Sequence, residues 1–495
     1  MTATRIGTGS GGPVAGTALR PRADDALAAR LARSAAAPDG SWISTDDFAD
    51  WLDGRRRAHH FKVERIPFAE LDGWSFAEDT GNLVHRSGRF FSVEGLSVTV
   101  GEGPFRHWEQ PIIRQPEVGI LGLLAKEIDG VLHFLMQAKM EPGNRNLLQL
   151  SPTVQATRSN YTKVHKGADV KYLEYFTDPD RGRVAFDVLQ SEHGSWFYRK
   201  ANRNMLVEAL DEVPHDPDFC WLTLGQIGEL LRRDNVINMD SRTIVACFPM
   251  DGAEPGALLP DAAVQSWVTV ERSRHDVSVE RVPLAGIDGW ERDEHSLGRP
   301  DGRFFKVVAV AVEAGSREVP GWSQPLLEPT GPAVAAFVVR RIGGVPHLLV
   351  SARAEAGFLD TIELGPTVQC DPGNWRDVQA PPFLDTVLAA APERVLYEAL
   401  HSEEGGRFLH AEIRYLFVEA DETQAPLDPP PGFQWLTPGQ LNDLAQHAHY
   451  VNVQARTLLA CLNAGAARLD DVAAEGPDDA GAGQLDDEAA AGRAA

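Results

Sequence analysis

The chain contains two copies of one unit, and this internal repeat constrains its fold more than any other feature. Residues 137–161 read QAKMEPGNRNLLQLSPTVQATRSNY, and residues 351–375 read SARAEAGFLDTIELGPTVQCDPGNW, an offset of 351 − 137 = 214. The first copy opens with VERIPFAELDGW at residue 63, and the second opens with VERVPLAGIDGW at residue 279. Because several motifs recur in the same order, gene duplication explains the pattern better than chance.

The repeat sets the expected domain boundaries in this chain of 495 residues. Residues 1–24 lack periodicity and are expected to be disordered. The first repeat, with two N-terminal helices, is predicted over 25–250, and the second over 265–463. A Gly/Pro/Ala-rich linker is expected at 251–264 and a disordered acidic tail at 464–495.

Apolar runs around tight turns predict that each repeat is a sheet with flanking helices. Asp129-Gly130 separates two such runs, and Gly343-Gly344 separates the corresponding two, which is a strong hairpin signal. The pairs Thr223/Gln226 and Thr437/Gln440 have capping-box spacing before apolar helical runs. The predicted fold class is α+β, with a mixed, mostly antiparallel sheet in each repeat.

Composition excludes several classes of partner. The formal charge of −24 disfavours binding to nucleic acid or to anionic lipid. No apolar run approaches the roughly 20 residues of a membrane span, and the N-terminus lacks a signal-peptide core, so a cytoplasmic protein without membrane contact is expected. The four cysteines lie far apart, and no metal-binding or dinucleotide motif is present. We therefore expect no metal and no cofactor.

Residues 137–175 are unusually rich in functional side chains. In Leu148-Gln149-Leu150-Ser151 and Thr153-Val154-Gln155, polar and apolar residues alternate, which on one strand would place the polar side chains on one face. A solvated sheet face is the alternative interpretation, which the return of Pro-Thr-Val-Gln in the second copy makes less attractive. The candidate residues of this stretch are Gln137, Lys139, Glu141, Gln149, Ser151, Thr153, Gln155, Arg158, Ser159, Tyr161 and Tyr175.

Further candidates recur at matching positions in both repeats. Glu192 in QSEHGSWFYRKANRNMLVE corresponds to Glu403 in HSEEGGRFLHAEIRYLFVE, each before a glycine turn. Arg242 and Arg456 each lie in an Asn-x-x-x-Arg-Thr sequence and are expected either to bind phosphate or to pair with an acid. The second copy also supplies Gln369 and Trp375.

These motifs resemble those of the NDP-hexose 2,3-dehydratases of deoxysugar biosynthesis. The similarity is carried by KMEPGNRNLLQLSPTVQATRSNY, YLEYF and QSEHGSWFYRKANRNMLVE in the first half, and by LGPTVQCDPGNW and HSEEGGRF in the second. The resemblance extends from about Val63 to Leu462. It implies two Nudix-like repeats, a homodimer, and elimination of water across C2 and C3 of a dTDP-4-keto-6-deoxyhexose, followed by a partner 3-ketoreductase.

Two alternatives remain at this point. A Nudix-like fold would also suit a diphosphate hydrolase, although neither repeat carries the carboxylate-rich helix that holds the hydrolase metal, and fold alone does not decide function. The other alternative is a nucleotide-sugar-binding protein without catalysis.

For the dehydratase, the chemistry is expected in the first repeat, and the second is expected to bind a nucleotide in an auxiliary role. The predicted catalytic residues are Lys139, Glu141, Ser151, Tyr161 and Glu192. The predicted substrate-binding residues are Trp108, Gln137, Gln149, Thr153, Gln155, Arg158, Ser159, Tyr175, Arg242, Gln369, Trp375, Glu403 and Arg456. Among these, Trp108, Tyr161 and Trp375 are expected to stack on the base, and Arg158, Arg242 and Arg456 to hold the diphosphate.

Overall fold

The sequence repeat corresponds to a repeated pair of β-sheets. The computed structural model describes residues 25–101, 106–157, 170–250, 256–315, 321–375 and 379–470. Three predicted site residues, Arg158, Ser159 and Tyr161, lie outside the described residues. Sheets and helices occur in both repeats, which confirms the predicted α+β class.

The strands follow one another in the same order in the two repeats. Those of the first repeat are β1 (Phe61–Ile66), β2 (Trp74–Phe76), β3 (Leu83–His85), β4 (Ser92–Val100), β5 (His107–Arg114), β6 (Ile120–Ile128), β7 (Val131–Met140), β8 (Leu148–Ser151), β9 (Val154–Ala156), β10 (Gly182–Ser191), β11 (Ala201–Ala209) and β12 (Phe219–Thr223). Those of the second are β13 (Val277–Val282), β14 (Glu291–Arg292), β15 (Ser296–Gly298), β16 (Phe305–Ala314), β17 (Gly321–Pro329), β18 (Ala333–Ile342), β19 (Val345–Arg353), β20 (Glu363–Gly365), β21 (Val368–Cys370), β22 (Val395–Ser402), β23 (Glu412–Glu419) and β24 (Phe433–Leu436).

Each repeat contributes a seven-stranded sheet of the same topology. The order is β10-β11-β6-β7-β12 in the first repeat, with β8 added to β7 and β9 to β6. The second sheet has the order β22-β23-β18-β19-β24, with β20 and β21 in the corresponding places. Only the central pairs β11/β6 and β23/β18 are parallel among the described strands of these sheets. The predicted hairpin turn is confirmed, since Asp129 and Gly130 both have positive φ, as a type I′ turn requires.

The two smaller sheets exchange their first strands between the repeats. Strand β1 of the first repeat pairs antiparallel with β16 of the second, and Phe61 lies opposite Ala314. Strand β13 of the second repeat pairs in the same way with β4 of the first, and Val277 lies opposite Val100. Each smaller sheet therefore needs a strand from the other repeat, so the two predicted units are interlocked.

Helices cover the sheets and join the repeats. They are α1 (Asp25–Ala35), α2 (Thr45–Ala58), α3 (Glu174–Thr177), α4 (Leu224–Leu231), α5 (Met239–Val245), α6 (Asp261–Arg274), α7 (Leu384–Leu388), α8 (Pro438–Ala445) and α9 (Val453–Asn463). Both predicted capping boxes are present, at Thr223/Gln226 and at Thr437/Gln440. No helix of the described residues combines the length and apolar character needed to cross a bilayer.

The largest hydrophobic core includes side chains from both repeats. Phe134 and Ile244 of the first repeat belong to it together with Phe337 and Leu458 of the second. Helix α5 packs against α9 within this core. The two repeats therefore share one core, which makes their relative placement part of the fold.

Two expected boundaries shift in the structure. Helix α6 begins at Asp261, inside the stretch expected to be a linker. Ala464, Ala467 and Leu469 are buried, although a disordered tail was expected from residue 464. The backbone can pack here because Gly228 has no side chain, and a Cβ at that position would lie 2.0 Å from the Ala464 carbonyl oxygen.

The expectation that residues 148–155 form one strand with one polar face is wrong. β8 pairs with β7, whereas β9 pairs with β6, and the two are separated at Pro152 and Thr153. Thr153 Oγ1 accepts a hydrogen bond from Leu124 N at 2.8 Å and donates to Leu135 O. The Thr153 hydroxyl thus replaces strand-to-strand backbone hydrogen bonds where the chain crosses from β7 to β6. Thr153 therefore has a structural role.

Candidate active site

Lys139, Glu141 and Gln155 form a hydrogen-bonded group at the end of β7. Lys139 Nζ lies 3.1 Å from Glu141 Oε1, and the same oxygen accepts a hydrogen bond from Gln155 Nε2 at 3.1 Å. Lys139 also donates to the Gln155 amide oxygen. The Glu141 carboxylate is buried, and its negative charge is paired with the Lys139 cation. Sequence analysis singled out all three residues, and the structure brings them together.

A turn of the second repeat packs directly against the turn that follows Glu141. Gly143 N donates to Gly405 O at 2.7 Å, and His410 N donates to Gly143 O at 2.7 Å. A Cβ at residue 143 would lie only 1.7 Å from the Phe408 carbonyl oxygen, so glycine is required at this contact. The second repeat therefore forms one wall around the Glu141 group.

Glu192 lies in the same region, at the turn between β10 and β11. Its Oε1 accepts a hydrogen bond from Asn202 Nδ2 at 2.6 Å, and Lys200 Nζ donates to Asn202 Oδ1 at 2.7 Å. Burial would raise the pKa of Glu192, but the neighbouring His193 and the charge of Lys200 hold that pKa below its usual range. Glu192 is therefore an anion at neutral pH.

Asp240 and Glu404 are two further carboxyl groups beside Glu141 and Glu192. Burial raises the pKa of Asp240 well above its usual range, and the charges of Glu404 and Glu192 raise it further. Burial and the charge of Glu192 raise the pKa of Glu404 to about 7. Burial thus favours the protonated form of Asp240, whereas Glu404 titrates near neutral pH.

Sequence analysis missed both Asp240 and Glu404. Each could have been found by comparing the repeats, because Asp240 corresponds to Gln454 and Glu404 to His193. Asp240 lies inside the Asn-x-x-x-Arg-Thr motif, in which only the arginine was predicted to have a functional role. Glu404 is adjacent to Glu403, which was assigned in its place.

We call the group Lys139, Glu141, Gln155, Glu192, Lys200, Asn202, Asp240 and Glu404 the first-repeat cluster. Several buried polar atoms in and next to it have no hydrogen-bond partner within the described part of the chain. They are Glu192 Oε2, Asp240 Oδ1, Asn204 Oδ1 and both amide atoms of Asn144. Buried polar groups are normally satisfied, so such a concentration is typical of a site that binds a polar ligand.

The second repeat has the corresponding scaffold but lacks most of these groups. Arg353 Nε donates to Glu355 Oε1 at 2.8 Å, and Gln369 Nε2 donates to the same oxygen at 2.9 Å. The residues that correspond to Lys200, Asn202, Asn204 and Asp240 are Ala411, Ile413, Tyr415 and Gln454. The second cluster thus lacks a cation, two amides and a carboxyl group, which favours chemistry in the first repeat.

Glu403, predicted to bind the substrate, and Arg242, predicted to hold the diphosphate, both bond to the protein itself. Both are fully buried between the repeats, where Glu403 Oε2 lies 2.6 Å from His193 Nε2 and Oε1 accepts from the Tyr415 hydroxyl at 2.8 Å. Arg242 donates to Ser402 O at 2.8 Å and to Ile237 O at 2.7 Å. All three nitrogens of the Arg242 guanidinium therefore donate hydrogen bonds to oxygens of the protein.

Arg456 repeats this arrangement with the roles of the repeats reversed. Its side chain is buried, Nε donates to Thr243 Oγ1 at 2.7 Å, and the guanidinium also donates to the Ser191 and Val451 carbonyl oxygens. The predicted phosphate-binding role of Arg242 and Arg456 is therefore corrected. The physical reason is that two guanidinium groups join the repeats across a buried interface.

Comparison with known proteins then identifies the family. The family model described as NDP-hexose 2,3-dehydratase matches this chain twice, over residues 45–248 and 261–462.

The chain belongs to the NDP-hexose 2,3-dehydratase family.

Three relatives extend over most of this chain, and each is named dTDP-4-dehydro-6-deoxy-alpha-D-glucopyranose 2,3-dehydratase. The protein from Amycolatopsis orientalis is 59% identical over 91% of this chain and 97% of its own length. The one from Saccharopolyspora spinosa is 49% identical over 88% of this chain and 94% of its own length. The one from Streptomyces violaceoruber is 50% identical over 84% of this chain and 97% of its own length. The resemblance deduced from the motifs is confirmed.

The remaining predicted residues of this family member have varied surroundings. Tyr175 is buried in the core of the first repeat, where its hydroxyl donates to Glu212 O at 3.1 Å. The prediction that Tyr175 contacts the substrate is therefore corrected. Gln149 is also buried, and its amide donates to the Ser402 hydroxyl across the repeat interface. Ser151 is buried and donates to Pro152 O at 3.3 Å, whereas Gln137 is half-buried on β7.

The two described tryptophans predicted to stack on the base belong to different surroundings. Trp108 is half-buried, donates to Gln110 Oε1 at 2.9 Å, and packs against a small cluster that includes Ala356 of the second repeat. Trp375 ends a short 3₁₀ turn beside a cavity of about 730 Å³ in the second repeat. This cavity is lined by charged and polar residues, including Asp301, Arg303, Asp371, Asn374 and Arg414.

Proposed function

We propose that this protein eliminates water across C2 and C3 of a dTDP-4-keto-6-deoxyhexose to give a 3,4-diketo-2,6-dideoxyhexose nucleotide. The observation that carries the proposal is the family membership, with relatives of 49% to 59% identity named for this reaction on the 6-deoxyglucose substrate. The product class implies deoxysugar biosynthesis of the antibiotic type.

The reaction needs a base, an acid and a site for an oxyanion. The C4 ketone acidifies the C3 hydrogen, so a base can remove that proton and form an enolate. The enolate expels the C2 hydroxyl as water when an acid donates a proton to it, which leaves a C2=C3 enol. The enol takes up a proton at C2, and the C3 hydroxyl becomes a ketone. Each proton transfer is within reach of ordinary carboxyl groups.

We place this chemistry in the first-repeat cluster. Asp240 suits the acid that protonates the departing C2 hydroxyl, because burial raises its pKa and favours the protonated carboxyl group. Lys139 supports the negative charge that develops on the C4 oxygen, since a fixed cation in a buried site stabilises an enolate. Glu141 and Glu192 remain candidates for proton transfer, and Ser151 and Tyr161 stay in the proposed set on chemical grounds.

Nucleotide binding is the less determined half of the site. We propose Gln155, Gln137, Trp108, Arg158 and Ser159 as contacts of the substrate. In the second repeat we propose an auxiliary nucleotide site at the cavity beside Trp375. Arg303 there supplies positive charge for a diphosphate, together with Arg414, which also pairs with Glu398. Gln369, which donates to Glu355, belongs to the same repeat.

The wider setting follows from the same reasoning. We propose a Nudix-like architecture for each repeat, a homodimeric assembly and a cytoplasmic location. The 3,4-diketo product is labile, so a downstream 3-ketoreductase must consume it. Sedimentation of the purified protein tests the dimer, because a monomer at micromolar concentration would contradict it.

One assay separates dehydration from its alternatives. The protein is incubated with dTDP-4-keto-6-deoxyglucose in D2O, and the products are trapped by reduction and analysed by mass spectrometry and NMR. Loss of water with the diphosphate intact and deuterium at C2 is the expected result. Release of dTMP would identify a hydrolase, and saturable binding without turnover would identify a binding protein.

A further inference from the structure

One side chain of the first-repeat cluster, Glu404, comes from the second repeat. It has no role in the mechanism described above. Glu404 lies in the turn of the second repeat that is bonded to Gly143, because Gly143 N donates to Gly405 O and His410 N donates to Gly143 O. A Cβ at Gly405 would lie 2.4 Å from Asn144 Oδ1, so this turn is pressed against the first repeat. The Glu404 carboxylate is thus delivered to the cluster by tertiary packing.

We propose that Glu404 is the base that removes the C3 proton, so that one active site is assembled from both repeats. This inference rests on the proposed dehydratase function. It makes Glu404 a catalytic residue that touches the substrate, and it gives the second repeat a direct part in the reaction.

Hydrogen bonding separates Glu404 from Glu141 fully and from Glu192 in part, because Glu192 Oε2 and Asp240 Oδ1 also lack a hydrogen-bond partner among the described residues. Glu141 already accepts from Lys139 and Gln155, and Glu192 accepts from Asn202. Glu404 is half-buried, and its carboxylate makes no hydrogen bond or ion pair with the residues that the structure describes. A C–H group offers a base no hydrogen bond in advance, so the base must keep a free oxygen.

The charges around Glu404 give it suitable basicity. It faces the carboxylates of Glu192 and Glu141, the carboxyl group of Asp240, and the cations of Lys200 and Arg407. Burial and the repulsion from Glu192 set its pKa at about 7. A base is most effective when its pKa lies near the working pH, because it is then both ionised and a strong proton acceptor. Glu192 is a weaker base because its pKa is lowered, and burial favours the protonated form of Asp240.

The corresponding position of the first repeat explains why only one such site is expected. The residue that corresponds to Glu404 is His193, which is paired with Glu403 at 2.6 Å and stacks on Trp196. His193 is therefore held in the interface between the repeats and cannot serve the second cluster as a free base. The duplication has given one position two different roles.

The test compares Glu404→Gln with Glu404→Asp and with Glu363→Gln as a matched control. Glu363 is a buried carboxylate at the repeat interface, where it accepts from Ser191 at 2.5 Å, and glutamine already stands at the corresponding position, Gln149. Dehydration is measured as kcat/KM between about pH 5.5 and 9, with circular dichroism to verify folding. Substrate deuterated at C3 is run in parallel.

Glu404→Gln should reduce kcat/KM by roughly 10²- to 10⁴-fold, the usual contribution of a general base. In the wild type, kcat/KM should fall as the pH drops below about 7, because the base becomes protonated. This limb should vanish in Glu404→Gln and persist in Glu363→Gln and Glu404→Asp. The C3-deuterium isotope effect should be larger in Glu404→Asp than in the wild type, because proton removal has become slower.

A folded Glu404→Gln variant that retains wild-type kcat/KM, or an unchanged acid limb, would overturn the proposal. If Glu404→Gln does not fold, two other results would overturn the proposal. One is a wild-type kcat/KM that does not fall below about pH 7, and the other is a C3-deuterium isotope effect in Glu404→Asp equal to that of the wild type. Failure of the wild type to release water would instead refute the dehydratase function itself. The two failures are therefore distinct.

Discussion

Replacing His193 with glutamine should destabilise the protein in a way that depends strongly on pH. His193 is buried between the repeats with Nε2 2.6 Å from Glu403 Oε2 and Nδ1 3.8 Å from Glu192 Oε2. Burial would lower the pKa of His193, but its interactions with the carboxylates of Glu192 and Glu403 outweigh burial and raise the pKa to about 9. His193 is therefore a cation that links the two repeats at neutral pH.

The magnitude follows from linkage between protonation and folding. The pKa is about 6.5 in the unfolded chain and about 9 in the folded protein, and each pKa unit corresponds to about 1.4 kcal/mol. Because the folded pKa is the higher one, the stabilisation is fully present below about pH 6.5 and disappears as the pH rises through about 9. Protonated His193 thus contributes about 3 kcal/mol at pH 6 and less than about 1 kcal/mol at pH 9.

The assay is urea unfolding of wild type and His193→Gln at pH 6, 7.5 and 9, monitored by tryptophan fluorescence. His401→Gln is the matched control, because His401 is also buried and its counterpart in the first repeat is Gln190. Burial lowers the pKa of His401 well below its usual range, so its effect should change below about pH 6.5 and stay level above it. A wild-type advantage over His193→Gln that is the same at pH 6 and pH 9 would refute the reasoning.

Three further outcomes are expected. Glu141→Gln should lower kcat/KM by at least about tenfold, whereas Glu355→Gln in the second cluster should leave most activity, as a comparison of initial rates will show; a larger loss in Glu355→Gln would reverse the assignment of the repeats. Arg242→Lys should lower the urea midpoint, with a cost of about 1 to 3 kcal/mol because lysine cannot reproduce the guanidinium bonds, and should leave KM nearly unchanged; a selective rise in KM would restore its role as a phosphate partner. Exhaustive chelation should leave dehydration unchanged, since no group of metal-binding side chains occurs among the described residues, and rescue of a chelated enzyme by a divalent ion would contradict this.

Local patterns in the sequence determined the repeat, the fold class and the boundaries of many elements. The turn at Asp129-Gly130 and the capping boxes at Thr223 and Thr437 need only residues that are close in sequence, so their chemistry can be read directly. Glu141 and Glu192 were also predicted as site residues from the sequence, because a carboxylate in a turn beside amides and cations is chemically conspicuous.

Only the tertiary structure decided which of these groups meet and what they can do. The exchange of β1 and β13 between the repeats, and the delivery of Glu404 beside Glu141, join residues more than 170 positions apart. Arg242 was misassigned because an arginine has the same fork whether it meets a phosphate or a buried carbonyl group. Burial and neighbouring charge, which set the pKa of Asp240 and of Glu404, depend on packing around each group, and no local pattern in the sequence encodes them.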